Sequence, residues 1–276
     1  MAFSNRRLSG SALVTGAGSG IGRAVSLSLA AAGISTLYIT DLSNDGLSTT
    51  RSAIDALLLH TPPTIYVFPG DISVPSFTKT LFSQVHSLDY AVNCAGILGR
   101  ASPTHELSIE DFDAINNVNY RGLWLCVKEE ISLMLKNDLQ IYANALSETE
   151  ASTRAQRGAI VNISSQLAVV GKASSAAYTA SKAAVLSLTR SDACDYSTPK
   201  HRIRINAICP GVIRTGMTSS GEGVVNKELE HSVLIAPMGR VGEPGEVADA
   251  AVWLCSGESS FVTGQGIVVD GGYVIN

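Results

Sequence analysis

The strongest constraint on the fold is a glycine-rich turn that joins a short apolar run to a helical pattern near the start of the chain. Residues Ser11–Thr15 are mostly apolar, Gly16-Ala17-Gly18-Ser19-Gly20-Ile21-Gly22 comes next, and Ile21–Ala32 has a helical pattern that ends at Gly33. Glycines allow a tight turn and close approach to an anion, and the free N–H groups at the start of the helix favour negative charge. This strand–turn–helix context predicts a phosphate-binding turn, with a purely structural turn as the alternative.

The rest of the chain repeats this alternation of apolar runs and helical patterns, which is typical of βαβ units and a parallel sheet. Helices are expected over Asn44–Leu59, Tyr178–Tyr196 and Glu243–Cys255, and a longer helix from Ser108 to about Lys136. We therefore predict an α/β fold with one Rossmann-type, doubly wound domain over residues 1–276, in which helices flank a seven-stranded parallel sheet. The expected strands are Ser11–Thr15, Thr36–Thr40, Thr64–Phe68, Leu88–Asn93, Ala159–Ile163, Ile203–Ile208 and Gly266–Asp270.

One segment interrupts the alternation. Residues 137–157 are mostly polar and separate a helix from a strand, whereas such connections usually take about 2–6 residues. We interpret residues 137–157 as a surface insertion that includes a short helix; a lid is the alternative.

Composition excludes several classes of function. The net charge of −4 and the 6% aromatic content predict no nucleic-acid partner and no polybasic membrane contact. The five cysteines are odd in number and have no CxxC spacing, so neither a disulfide framework nor a metal site is expected. With no apolar stretch near the ~20 residues that span a bilayer, we expect a cytoplasmic protein that acts on a small molecule.

The end of the second expected strand predicts the cofactor. Asp41 lies about 20 residues after the glycine turn, where a carboxylate accepts hydrogen bonds from the ribose hydroxyls of NAD and repels a 2′-phosphate. Leu42 comes directly after it, and the turn has no basic residue before Arg23. The alternative role for Asp41 is simple capping of the next helix.

Four further residues occur in positions that indicate catalysis. Ser165 comes after the fifth expected strand, Tyr178 and Lys182 share a helix face at a spacing of four, and Asn119 lies in the helix that starts near Ser108. With these residues the chain resembles the short-chain dehydrogenase/reductase family over nearly its whole length. The motifs that carry the resemblance are Thr15-Gly16-x-x-x-Gly20-x-Gly22, Asn93-Cys94-Ala95-Gly96, Asn119, Asn162-Ile163-Ser164-Ser165, Tyr178-x-x-x-Lys182 and Pro210-Gly211.

The resemblance implies an acid–base role for Tyr178. Oxidation of an alcohol needs a base for the hydroxyl proton, and a free phenol titrates near about 10 unless its anion is stabilised. We expect Lys182 to lower the pKa of Tyr178 and to hold the nicotinamide ribose, and Ser165 to donate a hydrogen bond to the substrate oxygen. Ser165 matches the family spacing better than Ser164. Asn119 is implied to hold a water that links Lys182 to solvent.

The resemblance also implies the cofactor and substrate contacts. Residues 212–240 correspond to the variable substrate loop, where apolar Met217, Leu234 and Met238 between glycines predict a lid over a hydrophobic substrate; a mobile surface loop is the alternative. Substrate-lining residues are expected at Ile97, Leu98, Gln166, Ala168, Val212 and Met217. The residues implied to bind NAD are Gly16, Ser19, Gly20, Ile21, Gly22, Asp41, Leu42, Asp71, Ile72, Asn93, Ala95, Gly96, Tyr178, Lys182, Pro210, Gly211, Ile213 and Thr215.

Two departures from the family pattern are visible. Cys94 replaces a second asparagine that usually supports the sheet, and the stretch between Asp71 and Leu88 is short.

The sequence thus predicts an oxidoreductase that transfers a hydride between NAD(H) and a secondary alcohol or ketone, with a mainly apolar or cyclic substrate. An NADPH-dependent ketoreductase and a non-catalytic dinucleotide-binding regulator are the alternatives. The family relationship implies a homotetramer or a homodimer.

Overall fold

The predicted alternation of strands and helices is confirmed by a computed structural model, which describes residues 8–141, 145–220 and 224–276. The strands are β1 (Ser11–Thr15), β2 (Thr36–Asp41), β3 (Thr64–Pro69), β4 (Tyr90–Asn93), β5 (Gly158–Ile163), β6 (Ile203–Pro210), β7 (Ser219–Ser220), β8 (Val224–Val225) and β9 (Gly266–Val269). The helices are α1 (Gly20–Ala32), α2 (Asn44–Asp55), α3 (Pro75–Ser83), α4 (Ile109–Asn116), α5 (Leu123–Met134), α6 (Glu148–Arg154), α7 (Ala176–Tyr196), α8 (Lys227–Ile235) and α9 (Pro244–Cys255).

Seven of these strands form one parallel sheet in the order β3-β2-β1-β4-β5-β6-β9, as the doubly wound prediction requires. The strand order reverses between β1 and β4, and the carboxyl ends of the central strands are in register, with Thr15 opposite Asn93 and Asn93 opposite Asn162. In open α/β sheets the ligand crevice lies at this reversal. The remaining pair, β7 and β8, is antiparallel and separate from the sheet.

Helices cover both faces of the sheet because successive side chains of each strand point to opposite faces. In β1, Val14 packs in one buried cluster with residues of α1, α2 and α9, and its neighbour Leu13 packs in a second cluster with residues of α3, α5 and α7. This arrangement explains the continuous apolar runs that predicted the strands.

Three elements differ from the sequence-based expectation. The second helix ends at Asp55 rather than Leu59, because Leu58 has a positive φ of 48° and Pro62-Pro63 comes shortly after. The single helix expected from Ser108 is divided into α4 and α5 by a π-helical turn over Asn117–Gly122. The short stretch before Leu88 forms α3, whose first residue is Pro75.

The predicted insertion at 137–157 is bound to the domain at both of its ends. Asn137 Nδ2 donates to Leu88 O at 2.7 Å, and Gln140 N donates to Gln156 O at 2.8 Å. Gln156 is buried and its Oε1 accepts from Arg204 Nε at 2.7 Å. Residues 142–144 of the insertion lie outside the described ranges, and α6 forms most of its second half.

Within the described ranges, none of the helices is long and apolar enough to cross a membrane. No group of three or more His, Cys, Asp or Glu side chains in those ranges is placed to hold a metal ion.

Candidate active site

The glycine turn after β1 forms a cradle that would admit no side chains at its key positions. A Cβ on Gly22 would lie 2.1 Å from the carbonyl oxygen of Gly16, and a Cβ on Gly16 would lie 2.7 Å from Ala95 N. The first turn of α1 carries no acidic residue, and Ser19 makes no side-chain cap. The N–H groups at this end of α1 therefore remain available to an anion such as a pyrophosphate.

Asp41 is fixed beside this turn at the end of β2. Its Oδ2 accepts from Gly18 N at 2.9 Å, and its Oδ1 accepts from Ser43 N at 2.9 Å. A Cβ on Gly18 would lie only 2.8 Å from Asp41 Cγ, so glycine is needed for this approach. Each carboxylate oxygen keeps a second acceptor site for a ligand hydroxyl.

The cavity beside Asp41 has an acidic lining. It measures about 260 Å³, and its charged lining residues within the described ranges are Asp41 and Asp71. Arg23, the first basic residue after the glycine turn, donates instead to Gly18 O and, at 3.1 Å, to Thr50 Oγ1. The expected cofactor residues that line this cavity are Gly16, Ser19, Ile21, Gly22, Asp41, Leu42, Asp71, Ile72, Ala95, Gly96 and Thr215.

A larger cavity of about 440 Å³ adjoins the first and shares with it Ile21, Cys94, Gly96, Thr215 and Met217. Tyr178 and Lys182 from α7 and Ser165 from the end of β5 meet on its wall. Pro210, which ends β6, and Gly211 and Ile213 just beyond it line the cavity as well. Gly20 lines neither cavity, but a Cβ there would lie 2.9 Å from Thr215 Cγ2.

Ser165, Tyr178 and Lys182 form a buried polar group. Ser165 lines the cavity together with Tyr178, and its Oγ accepts a hydrogen bond from Leu167 N at 3.1 Å. Lys182 Nζ lies 5.9 Å from the Tyr178 ring centroid and donates to Ile163 O at 2.9 Å. The cavity is thus lined by the hydroxyl of Ser165, the phenol of Tyr178 and the side chain of Lys182.

Burial dominates the titration of this group. Burial raises the pKa of Tyr178, and the hydrogen bond from Ser165 opposes that rise. Burial lowers the pKa of Lys182 to about 8. The expectation that Lys182 lowers the Tyr178 pKa is not met in this geometry, because the ammonium is directed to the Ile163 carbonyl rather than to the phenol.

Asn119 lies in the π-helical turn and is fully buried. Its Oδ1 accepts from Ile97 N at 2.8 Å, and its Nδ2 donates to Ile97 O at 2.9 Å and to Ser181 Oγ at 3.1 Å. Oδ1 also faces Gly96, since a Cβ there would lie 3.2 Å both from it and from Lys182 Nζ. A π-helical turn at such a position is typical of functional sites, because it reorients one side chain. Asn119 therefore fixes the loop that carries Ile97 beside Lys182.

Asn93, an expected cofactor residue, lines neither of these two cavities. Its Nδ2 donates to Glu130 Oε2 and to Asn162 Oδ1, both at 3.0 Å, and Asn162 Nδ2 donates to Thr189 Oγ1 at 3.0 Å. This buried network ties β4 and β5 to α5 and α7 behind the site. Glu130 was not singled out in the sequence, because a lone acid in a helix gives no sign of burial.

Glu130 makes stability depend on pH. Burial raises its pKa from 4.5 to about 8, with the Asn93 hydrogen bond opposing the rise. The unfolded chain then loses this proton between about pH 4.5 and 8 while the folded chain keeps it, so stability falls as pH rises through that window. We expect Glu130→Gln to raise the free energy of unfolding at about pH 8 by on the order of 2 kcal/mol, or roughly 4–8 °C in Tm.

Thermal melts at about pH 5 and pH 8 check this expectation, since one pKa unit is worth about 1.4 kcal/mol. The gain from Glu130→Gln should be much smaller at the lower pH. Glu129→Gln, the same change on the adjacent and less buried residue of α5, should shift neither melt. An equal or lower Tm for Glu130→Gln at the higher pH would show that burial of Glu130 does not lower stability there.

The walls of the larger cavity are mainly apolar. Of the expected substrate-lining residues, Leu98, Gln166, Val212 and Met217 line it, Ile97 lines the smaller cavity, and Ala168 lines neither. Leu107, Ile115 and Leu229 also line it and were not foreseen, since they come from a loop, α4 and α8. Only the folded chain brings these three elements together.

The expected substrate loop at 212–240 contains the β7–β8 pair and α8, and its residues 221–223, including Gly221 and Gly223, lie outside the described ranges. Met217 lines both cavities, whereas Leu234 and Met238 are largely exposed. The loop therefore supplies one wall of the larger cavity.

Comparisons with known proteins agree with this geometry. A family model described as Enoyl-(Acyl carrier protein) reductase matches residues 16–274. The short-chain dehydrogenase anuF of Penicillium roqueforti is 34% identical over 273 residues, covering 96% of each chain. The 2,5-dichloro-2,5-cyclohexadiene-1,4-diol dehydrogenase of Sphingobium indicum is 35% identical over 265 residues, covering 95% of each chain.

Solved structures give the same result. One from Agrobacterium tumefaciens, provisionally named a 2-deoxy-d-gluconate 3-dehydrogenase and holding NADP, superposes with a TM-score of 0.80 at 28% identity and covers 99% of this chain and 100% of its own. The chain belongs to the short-chain dehydrogenase/reductase family, and it is an oxidoreductase that acts on alcohol or ketone groups with a nicotinamide dinucleotide. The glycine cradle and the two joined cavities fit such a dinucleotide, which supplies the hydride acceptor or donor when bound.

Proposed function

We propose that this enzyme is an NAD-dependent dehydrogenase of secondary alcohols, working reversibly on the corresponding ketones. Tyr178 takes the hydroxyl proton in oxidation and returns it in reduction. Ser165 donates a hydrogen bond to the substrate oxygen as charge develops there. Lys182 holds the ribose next to the nicotinamide, and Asn119 holds a water on the path from Lys182 to solvent.

The preference for NAD is supported by one observation above the others. The carboxylate of Asp41 stands in a cavity whose only other charged lining residue, within the described part of the chain, is Asp71. A 2′-phosphate there would meet negative charge, and no lysine or arginine among the described residues lines this cavity, whereas ribose hydroxyls can donate to Asp41. The NADP held by the Agrobacterium tumefaciens relative favours the alternative, an NADPH-dependent ketoreductase, so kinetics with both cofactors decide between the two.

We expect NAD to exceed NADP in kcat/KM by at least about tenfold, which corresponds to about 1.4 kcal/mol of discrimination. In Asp41→Ala the gap should shrink, because the variant lacks both the hydroxyl acceptor and the repelling charge. Initial rates with each cofactor and one secondary alcohol give the measurement.

Asp45→Ala is the matched control, because Asp45 is exposed in the first turn of α2 and lies four residues from Asp41. It should retain the full preference. Equal use of NAD and NADP by the unaltered enzyme would refute the assignment of Asp41.

The proposed substrate is mainly apolar or cyclic. The larger cavity presents Leu98, Leu107, Ile115, Val212 and Met217, and its volume of about 440 Å³ admits a ring with substituents. The Sphingobium indicum relative is named for a cyclohexadiene diol, a ring that carries secondary alcohols.

We further propose that the enzyme assembles as a homodimer or homotetramer. Exposed apolar side chains on and beside α4 and α5 support this, among them Ile109 at 74%, Phe112 at 46% and Trp124 at 43% exposure. Light scattering on the purified enzyme would measure the mass, and a monomer at all concentrations would exclude it.

A further inference from the structure

Gln166 has a buried amide that the fold does not use. It comes directly after Ser165, begins the 3₁₀ turn Gln166–Ala168, lines the larger cavity and is only 5% exposed. Its Oε1 is buried without a hydrogen-bond partner, and no hydrogen bond is formed by its side chain in the part of the chain that the structure describes. The oxygen lies beside Gly211, which lines the larger cavity, since a Cβ on Gly211 would be 3.0 Å from it. Gln166 also lines a neighbouring cavity, together with Val212 and Asp270.

The two serines that precede Gln166, by contrast, are both hydrogen-bonded. Ser164 Oγ donates to Lys182 O at 2.8 Å, and Ser165 Oγ accepts from Leu167 N at 3.1 Å. A buried polar group without a partner destabilises a fold, so nearly all such groups are paired. A ligand that forms a hydrogen bond with this amide would explain why the amide is left unpaired next to the proposed reacting residues.

We propose that Gln166 determines specificity by binding a second hydroxyl of the substrate, close to the carbon that reacts. The inference rests on the proposed function, in which Ser165 and Tyr178 hold the reacting oxygen. Gln166 comes directly after Ser165 and both residues line the same cavity, so one substrate can contact both. A carboxamide both accepts and donates, and a hydroxyl complements either atom. The substrate class is therefore a diol or hydroxyketone with an apolar body.

The test uses two alcohols of nearly equal size, cyclohexane-1,2-diol and 2-methylcyclohexanol, with formation of NADH as the readout. The unaltered enzyme is expected to prefer the diol by about 10- to 100-fold in kcat/KM, because the methyl analogue leaves the amide unpaired. Gln166→Met, which keeps the length of the side chain, should abolish that preference. Gln84→Met, the same change at an exposed position after α3, should preserve it.

A melting curve separates recognition from a structural role. Gln166→Met removes no hydrogen bond within the protein, so its Tm should equal or exceed that of the unaltered enzyme. A Tm lower by several degrees, or an undiminished preference for the diol in Gln166→Met, would overturn the inference.

Failure of the proposed function has a different signature. If neither alcohol yields NADH, the same pair is compared by calorimetric binding to the enzyme with NADH present. Tighter binding of the diol that is lost in Gln166→Met would uphold the inference while the proposed reaction fails. Equal binding of the two alcohols would overturn it.

Discussion

Replacing Tyr178 with phenylalanine is expected to lower turnover by a factor on the order of 10²–10⁴, the usual contribution of a positioned acid or base. Phenylalanine keeps the ring on the cavity wall and removes the phenol, and no other tyrosine of the described residues lines this cavity. Affinity for the dinucleotide should be nearly unchanged, because the glycine cradle, Asp41 and Lys182 remain. Steady-state rates and a titration with NADH measure the two effects separately.

The pH dependence gives this substitution a second signature. In the proposed mechanism oxidation needs the phenolate of Tyr178, and burial raises the pKa of that phenol. Oxidation by the unaltered enzyme should therefore rise with pH through one ionisation, and ketone reduction, which needs the neutral phenol, should fall. The residual rate of Tyr178→Phe should lack this ionisation. Tyr66→Phe is the control, because Tyr66 is 42% exposed on β3, the outermost strand of the sheet, and lines neither cavity.

Ser165→Ala is expected to lower kcat/KM by a factor on the order of 10²–10³, as removal of one preorganised donor to a developing charge does elsewhere. The loss should be in kcat more than in affinity for the dinucleotide. The Tm should fall only slightly, since the variant loses the hydrogen bond from Leu167 N, worth about 1 kcal/mol, and the interaction of the hydroxyl with the Tyr178 phenol.

Ser164→Ala provides the matched comparison on the adjacent residue. Ser164 Oγ donates to the Lys182 carbonyl oxygen and takes no part in the proposed chemistry, so a much smaller loss is expected. A larger loss for Ser164→Ala than for Ser165→Ala would reverse the assignment of the substrate-binding hydroxyl.

The sheet could be predicted from the sequence because each central strand is an apolar run between loop residues, and burial on both faces requires such runs. The ends of helices were predicted less accurately where the backbone conformation of a single residue decides them. Leu58 adopts a positive φ that its apolar side chain does not suggest. The π-helical turn at Asn117–Gly122 was missed because the pattern of apolar residues does not show that backbone hydrogen bonds change there from the i to i+4 spacing to the i to i+5 spacing.

The sequence indicated that candidate site residues lie together mainly where they belong to one helix or strand. Tyr178 and Lys182 are one helical turn apart, and both reach the same cavity. Contacts between distant segments gave no such signal. The Lys182 bond to Ile163 O, the burial of Glu130 against Asn93, and the unpaired amide of Gln166 all depend on how β4, β5 and α7 pack. Asn93 was expected in the cofactor site because of the family resemblance, and the structure adds that its side chain binds Glu130 and Asn162.

Tyr178 is proposed to perform acid–base chemistry in an NAD-linked oxidation of secondary alcohols. The most direct measurement is the initial rate of NADH formation from a panel of secondary alcohols, run in parallel for the unaltered enzyme and Tyr178→Phe with saturating NAD. We expect NADH formation by the unaltered enzyme with at least one cyclic alcohol, and a rate lower by a factor on the order of 10²–10⁴ in the variant. Equal rates for the two proteins, or NADH binding by both without oxidation of any alcohol, would contradict it.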